Sequence, residues 1–161
     1  MLMRKIENFL FLIVFVLILS GCAATKKARI RAEKVDRVIN TARSFTGTPY
    51  KWGGTTRAGM DCSGLVNISF QSAGVELPRT TNDLRKVGKS TDIYNLQPGD
   101  LVFFAMNKKK RRRITHVGIV TEVRGKDNVK FIHSSSSLGV VEANLMSRYY
   151  QGVFRKARRV M

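Results

Sequence analysis

Apolar residues recur along the chain at three different spacings, and each spacing predicts a different kind of segment. The first is an uninterrupted apolar run at positions 9–19, which follows Arg4 and Lys5. A basic start before a short apolar core is typical of a secretory signal, and the run is shorter than the roughly 20 residues that a membrane-spanning helix needs. The pattern therefore predicts a signal peptide over residues 1–21 and argues against a transmembrane anchor.

Helical spacing of apolar residues predicts two main helices after the signal. The first is amphipathic, begins near Arg29 and stops at Gly47, with an apolar face made of Val35, Val38, Ile39, Ala42 and Phe45. The second begins at Cys62, with Asp61 as its N-cap and Gly74 at its end, and its apolar face carries Leu65, Val66, Phe70 and Ala73. A short third helix is expected after Thr80 and Thr81, carrying Leu84 and Val87.

Beyond Gly99 the pattern changes from that of helices to that of strands. Residues 101–104 form a short apolar run typical of a buried strand, and further strands are indicated at residues 114–123, 129–134, 140–145 and 153–160. Helices first and strands afterwards predict an α+β fold, with a mainly antiparallel sheet and its helices on one face. About 140 residues remain after the signal, which is enough for one domain with a real core and too few for two.

The end of the signal indicates what happens to the first cysteine. Leu19-Ser20-Gly21-Cys22 resembles the lipoprotein box of bacteria, in which the signal is cut before a cysteine that then carries acyl chains. Several acyl chains hold a soluble domain at a bilayer, where a single chain is marginal. Residues 22–34 are therefore expected to be a lipidated N-terminus with a short basic tether. By the same resemblance, Ala23 favours the outer membrane of a two-membrane bacterium, with the domain facing the periplasm.

The chain is strongly basic, with 29 Lys and Arg against 11 Asp and Glu. A secreted protein rarely meets nucleic acid, so we expect no nucleic-acid partner and instead anionic lipid or anionic wall polymers. Four basic residues follow the anchor and either lie against anionic lipid or form a solvated tether: Lys26, Lys27, Arg29 and Arg31. The run Lys-Lys-Lys-Arg-Arg-Arg at residues 108–113 predicts a solvated loop, with substrate steering as the alternative.

Cys62 is the one thiol left for chemistry once Cys22 is assigned to lipidation. It has no internal disulfide partner, although the compartment outside the inner membrane is oxidising. Its predicted place in the first turn of a helix favours the thiolate, because the helix N-terminus stabilises negative charge. The chain's two histidines, His116 and His133, fall within predicted strands, where an imidazole must be hydrogen-bonded.

These three residues together predict a cysteine nucleophile with one imidazole as base and the other as the group that orients it. We assign His116 as the base and His133 as the orienting residue, although residue chemistry alone does not order the two. A zinc site is the alternative for the same set, since cysteine and histidine are zinc ligands. None of the three belongs to a close-spaced ligand pair, so no metal and no cofactor is expected.

Five short motifs occur in one order along the chain, and together they resemble the NlpC-type cell-wall cysteine peptidases. They are Pro49-Tyr50-Lys51-Trp52-Gly53-Gly54, Asp61-Cys62-Ser63-Gly64-Leu65, Leu77-Pro78-Arg79-Thr80, Leu96-Gln97-Pro98-Gly99-Asp100-Leu101-Val102-Phe103-Phe104 and His116-Val117-Gly118-Ile119-Val120. The lipoprotein start resembles the Spr-like murein endopeptidase members of that family. The resemblance extends over residues 35–161, which are expected to form the peptidase domain.

The resemblance implies a papain-like α+β core whose Cys-His-His triad matches Cys62, His116 and His133. It also implies that the tyrosine at position 50 reaches the active site, near the thiol or the oxyanion. Asp61 and Ser63 either line the substrate cleft or cap the helix. Arg79 either pairs with a substrate carboxylate or braces the fold.

The activity implied by the resemblance is that of a peptidoglycan (murein) endopeptidase. Its bond is either the cross-link between D-alanine and diaminopimelate or the bond between D-glutamate and diaminopimelate. Two other functions use the same fold: a non-catalytic lipoprotein that binds the cell wall, and an acyltransferase with the same Cys-His machinery. The expected partners are the wall stem peptides and the membrane, with no obligate protein partner.

Overall fold

The computed structural model describes residues 25–106 and 113–161 of the chain. The predicted signal peptide, the lipoprotein box with Cys22 and residues 108–112 of the basic run lie outside the described residues. The chain divides into two compact units, residues 1–34 and residues 35–161. Within the described residues, no helix combines the length and the apolar character needed to cross a bilayer.

In the first unit, residues 25–34 are helical. The predicted helix start near Arg29 is therefore wrong, because the segment is already helical at residue 25. The apolar periodicity on which the prediction depended begins only at Val35, but alanine, arginine, lysine and glutamate are strong helix formers without it. An ion pair one turn apart, between Arg29 Nε and Glu33 Oε1 at 3.4 Å, adds to this local stability.

The second unit opens with α1, residues 35–44, followed by α2, Cys62–Ser72. Asp61 caps α2 as predicted, and its side chain accepts a hydrogen bond from the Gly64 N–H. The helix ends in a Schellman motif: Gly74 has φ +70°, and the Val75 N–H donates to the Phe70 carbonyl at 3.0 Å. Cys62 is therefore held at a well-defined helix start.

Two shorter helices follow. The predicted third helix is α3, Thr81–Leu84, and it is capped by Thr80; Leu84 is buried, whereas Val87 lies beyond the end of the helix. The fourth helix, α4, spans Arg148–Val153, so that its last residue is the first residue of the segment predicted as a strand, 153–160. That prediction missed α4 because the helix buries none of its own residues fully and so shows no apolar period.

The main sheet has six strands in the order β3-β8-β4-β5-β6-β7, and all of its pairs are antiparallel. Its strands are β3 Lys89–Thr91, β4 Leu101–Phe104, β5 His116–Arg124, β6 Asn128–Ser135, β7 Gly139–Asn144 and β8 Phe154–Arg159. A separate two-stranded sheet pairs β1, Thr55–Thr56, with β2, Gly59–Met60. The predicted α+β class with a mainly antiparallel sheet is confirmed, whereas the short strands β1, β2 and β3 carried too few residues to show an alternation.

Alternate residues of the central strands enter two different apolar clusters. Along β4, Leu101 and Phe103 pack with α1, α2 and α3, while Val102 and Phe104 pack on the other face of the sheet. That second face is covered in part by Tyr150 and Val153 of α4. The expectation that all helices lie on one face is therefore wrong for α4, which the second face needs as its cover.

Gly118 of β5 is packed tightly against the neighbouring strand β6. A Cβ atom at this position would lie 2.6 Å from Cδ2 of Phe131 and 2.8 Å from the Ile132 carbonyl oxygen, both in β6. The missing side chain therefore leaves the space against β5 that the Phe131 ring occupies.

We expect Gly118→Ala to lower the free energy of unfolding by about 1–3 kcal/mol, the usual cost of forcing an atom into a packed core. Gly152→Ala in α4 is the matched control, since a Cβ atom there meets nothing within 4 Å. The control should be neutral or slightly stabilising, because alanine is the better helix former. Urea unfolding of the two variants measures the difference, and equal midpoints would contradict the close approach.

Candidate active site

The Asp61 carboxylate joins three segments of the chain at the start of α2. Its Oδ1 accepts hydrogen bonds from the Gly64 N–H at 2.6 Å, the Ser63 hydroxyl at 3.0 Å and Arg79 Nη1 at 3.1 Å. Its Oδ2 accepts from the Gly53 N–H and from Arg79 Nη2, both at 2.8 Å. The glycine loop of residues 49–54, the start of α2 and the segment that carries Arg79 are therefore held in one relative position.

The charge of Asp61 is maintained by these donors. Burial alone raises its pKa, but the hydrogen bonds from Arg79, the Gly64 N–H and Ser63 outweigh burial and hold the pKa below its ordinary value. Arg79 also donates to the Ser63 hydroxyl at 2.7 Å. Of the two roles expected for Arg79, its contacts in the structure are those of a brace, while its side chain stays 42% exposed beside the cavity described below.

Cys62 is the first residue of α2, and its side chain is buried. The thiol Sγ lies 3.7 Å from the Thr81 hydroxyl, and it also has a hydrogen bond with the backbone N–H of Val117, the residue after His116. Burial raises the pKa of Cys62 and the Asp61 charge raises it further, against the lowering effect of the Thr81 and Val117 hydrogen bonds. The backbone N–H of Ser63, at the helix start, also lowers the pKa of the thiol as expected, but burial outweighs it, so that the pKa lies above its ordinary value and the neutral thiol is favoured.

The two histidines form a hydrogen-bonded pair. His116 Nε2 lies 2.8 Å from His133 Nδ1, and His133 Nε2 lies 3.0 Å from the Tyr150 hydroxyl. The Phe131 ring stacks on His133, with the ring centroids 4.9 Å apart. Burial lowers the pKa of His116 to about 3, with help from neighbouring His133, and burial lowers the pKa of His133 to about 4. Both imidazoles are therefore neutral at pH 7.

A cavity of about 620 Å³ opens in front of Cys62 and His116. Its wall contains every side chain that the sequence assigned to the substrate or oxyanion, namely Tyr50, Asp61, Ser63 and Arg79, together with Thr81. His133 does not line this cavity; it lies behind His116 and contacts its Nε2. Nδ1 is therefore the ring nitrogen of His116 that remains to accept the thiol proton. This arrangement supports His116 as the base and His133 as the orienting residue.

Tyr50 is held beside Cys62 by the backbone. The Met60 N–H donates to the Pro49 carbonyl at 3.0 Å, and the Lys51 N–H donates to the Met60 carbonyl at 3.3 Å. Burial raises the pKa of Tyr50, and the neighbouring Cys62 and Asp61 raise it further. The phenol is thus protonated and close to the thiol, where it can donate a hydrogen bond.

Two functional contacts were not predicted from the sequence. Thr81 lies one residue after the third motif, and its hydroxyl meets the Cys62 thiol only because α3 turns back toward α2. Tyr150 lies in the unpredicted helix α4, and no signal in the sequence connects it to His133. Cys22, the predicted lipidation site, lies outside the described residues.

The zinc alternative has no support in the described part of the chain. No group of three or more His, Cys, Asp or Glu side chains is placed there to hold a metal ion. The facing nitrogens of His116 and His133 are hydrogen-bonded to each other at 2.8 Å, whereas zinc between them would need about 2.0–2.1 Å to each. The pair is arranged to pass or hold a proton.

Comparison with known proteins gives consistent matches. The model of the NlpC/P60 family matches residues 47–159. The chain is 36% identical over 160 residues to the probable endopeptidase NlpC of Escherichia coli K12, covering 95% of this chain and 99% of that protein. It is also 36% identical over 126 residues to the murein DD-endopeptidase MepS/murein LD-carboxypeptidase of the same strain, covering 78% of this chain and 62% of that protein, which is less than two thirds of its length.

The solved structures agree with the fold. A crystal structure of an NlpC/P60 family protein from Bacillus cereus superimposes with a TM-score of 0.68 at 33% identity, covering 78% of this chain and 40% of that one. The predicted papain-like NlpC-type fold is thereby confirmed.

The Asp61–Arg79 contact predicts a measurable coupling in stability. In a double-mutant cycle of Asp61→Asn and Arg79→Gln, we expect a coupling of about 1 kcal/mol or more in the free energy of unfolding. Either substitution removes the charge-assisted hydrogen bonds that join the two side chains, so that the second substitution has less left to remove. The surface pair Asp83 and Lys86, 2.8 Å apart with both side chains largely exposed, is the control cycle and should show no resolvable coupling. Additive effects at Asp61 and Arg79 would mean that Arg79 serves the substrate instead of the fold.

Proposed function

The chain belongs to the NlpC/P60 family, and from that premise we propose that it is a cysteine peptidase that acts as a peptidoglycan endopeptidase. The observation that carries the proposal is the set of residues at the 620 Å³ cavity: Cys62, the first residue of a helix, and His116 both line it, and His133 is hydrogen-bonded to Nε2 of His116. The two E. coli relatives, a probable endopeptidase and a murein DD-endopeptidase, support the same reaction class, and the second supports the same substrate.

In the proposed reaction the resting thiol and imidazole are both neutral. As Cys62 Sγ attacks the carbonyl carbon of the scissile amide, His116 Nδ1 takes the thiol proton. The negative charge that develops on the carbonyl oxygen lies at the start of α2, where backbone N–H groups have no partner within the helix. The Cys62 N–H and the Tyr50 hydroxyl are the donors proposed for that oxygen.

The imidazolium then gives its proton to the leaving amine, and the carbon–nitrogen bond breaks. The acyl group remains on Cys62 as a thioester. A water molecule, activated by neutral His116, hydrolyses this thioester and restores the thiol.

The direction of the hydrogen bonds behind His116 decides which of its nitrogens can accept a proton. If Nδ1 is to be the base, the ring proton of neutral His116 must lie on Nε2, from which it is donated to His133 Nδ1. The proton of His133 then lies on Nε2 and is donated to the Tyr150 hydroxyl oxygen, 3.0 Å away. We therefore infer that Tyr150 is a positioning residue, which accepts this last hydrogen bond and selects the reactive tautomer of His116.

Tyr150→Phe tests this role, because it keeps the ring that packs against Phe131 and removes only the acceptor. We expect kcat to fall about tenfold with little change in KM, since the reactive tautomer becomes a smaller fraction of the enzyme. Nitrogen-15 NMR of the histidine rings should show the His116 proton moving partly from Nε2 to Nδ1. Tyr94→Phe, at a tyrosine that is 81% exposed, is the control. A loss of activity without a change of tautomer would contradict the inference.

The low imidazole pKa values also determine the acid limb of the pH profile. Protonation of His116 removes the base, so activity is lost as pH falls, but only toward pKa values of about 3 for His116 and about 4 for His133. In the same kinetic measurements, kcat/KM of the unmodified enzyme should therefore stay level as pH falls through 6.5.

We also propose that residues 1–21 are removed and that Cys22 carries the lipid that holds the enzyme in the bacterial envelope, on the outer membrane facing the periplasm. The support is the lipoprotein box at residues 19–22, and the envelope is where a peptidoglycan hydrolase meets its substrate. Of the two bonds considered, we propose the D-alanine–diaminopimelate cross-link, which the DD-endopeptidase name of one relative supports.

The two cysteines provide a matched pair of variants for both proposals. Full-length protein and its Cys62→Ala and Cys22→Ala variants are incubated with purified cell wall, and the soluble products are identified by mass spectrometry. We expect Cys62→Ala to release nothing, because no nucleophile remains, and Cys22→Ala to release the same products as the unmodified protein while losing its palmitate label in cells. Cleavage by Cys62→Ala would contradict the mechanism, and no cleavage by any form would favour a wall-binding lipoprotein.

A further inference from the structure

A second cavity, of about 370 Å³, adjoins the Cys62 cavity at His116. The two cavities share Tyr50, Thr115 and His116 in their walls. Only the first contains Cys62, and only the second contains His133 and the loop of residues 134–138. The cleft therefore continues past the catalytic pair, and its two parts meet at the base.

The chemistry of amide cleavage assigns the two halves of a substrate to the two cavities. The carbonyl carbon must reach Cys62 Sγ, so the acyl half lies in the cavity that Cys62 lines. The leaving nitrogen must reach the imidazole that protonates it, so the amine half lies on the His116 side. The second cavity is the space that continues from His116 in that direction, and we call it the leaving-side cavity.

The lining of the leaving-side cavity differs from that of the first cavity. It includes the hydroxyl groups of Ser135, Ser136 and Ser137 and, among the described residues, no Asp, Glu, Lys or Arg, whereas Asp61, Arg79 and Arg113 line the first cavity. Its wall includes two large apolar side chains that are exposed, Leu138 at 71% and Tyr149 at 54%. Hydroxyl groups beside exposed apolar side chains suit a peptide, whose backbone they hydrogen-bond and whose side chains they cover.

The loop that forms this wall is held by hydrogen bonds within the chain. The Ser135 hydroxyl accepts hydrogen bonds from the N–H groups of Ser137 at 3.4 Å and Leu138 at 3.3 Å. Gly139 follows with φ +70°, and a Cβ atom there would lie 2.3 Å from the Thr48 carbonyl oxygen. The Val140 N–H donates to that same oxygen at 2.9 Å, which fixes the loop against the segment that carries Tyr50. A preformed wall of this kind lowers the entropy cost of binding.

We propose that the leaving-side cavity binds an extended peptide on the amine side of the scissile bond, so that the preferred substrate is a peptide continued by several residues beyond that bond, as in a cross-link. This inference rests on the proposed endopeptidase function and adds to it the part of the substrate that leaves. Leu138 and Tyr149 are the residues that determine the preference, because their exposed apolar surface is what the leaving peptide covers.

Two peptides with the same acyl half test the proposal on the full-length protein. One ends in a single diaminopimelate after the scissile bond, and the other continues from that residue as a stem peptide. We expect kcat/KM to be about tenfold higher for the extended peptide, the gain typical of one well-placed apolar contact. In Leu138→Ala and Tyr149→Ala this ratio should fall toward one. Tyr94→Ala, an exposed tyrosine that lines neither cavity, should retain the full ratio.

Leu138→Ala gives the clearer result, because Leu138 is mostly exposed and its loss should not disturb the fold. The Tyr149 ring contacts Tyr150 with the ring centroids 5.0 Å apart, so that Tyr149→Ala can also affect Tyr150. Equal kcat/KM for the two peptides in the unmodified protein would overturn the inference and leave the proposed function intact, since both peptides would still be cleaved. An unchanged ratio in both variants would also overturn it, because the leaving half would then bind elsewhere. Cleavage of neither peptide would instead refute the endopeptidase function and, with it, this inference.

Discussion

The arrangement of the site depends first on the buried carboxylate of Asp61. Its two oxygens receive donors from the glycine loop, from the first turn of α2 and from the Arg79 segment, so that one side chain sets where three parts of the chain meet. Without these donors a buried carboxylate is costly, and with them it stays charged. Cys62 follows Asp61 directly, and the position of the proposed nucleophile is therefore fixed by the cap that precedes it.

The second constraint is the burial of the two histidines on the opposite side of the cleft. Phe131 of β6 and Tyr150 of α4 pack against His133, Phe104 of β4 packs near His116, and burial lowers the pKa of both imidazoles so that they are neutral. Burial acts in the same sense on the Cys62 thiol, whose neutral form it favours. In the proposed mechanism, reactivity thus comes from placing a neutral acid beside a neutral base and stabilising the charges that form during attack.

The sheet explains how these two constraints meet. His116 opens β5 and pairs in register with Phe104 at the end of β4, while His133 lies on the neighbouring strand β6. The helices α1, α2 and α3 cover one face of this sheet, and Tyr150 reaches His133 from α4 on the other. The residues proposed for catalysis and for positioning are therefore drawn from both sides of one sheet.

The amino-acid sequence determined the elements and the chemistry of this protein. The cap at Asp61, the helix from Cys62, the antiparallel strands and the cysteine–histidine set all follow from local patterns, because caps and periodicity act over a few residues. Tertiary structure decided which groups meet: the Arg79 brace on Asp61, Thr81 at the thiol, and Tyr150 behind His133, which lies 17 residues away in sequence. It also reversed the expected direction of the pKa shift of Cys62. Burial of the thiol depends on residues that are remote along the chain, and a local sequence pattern does not show how much water those residues exclude.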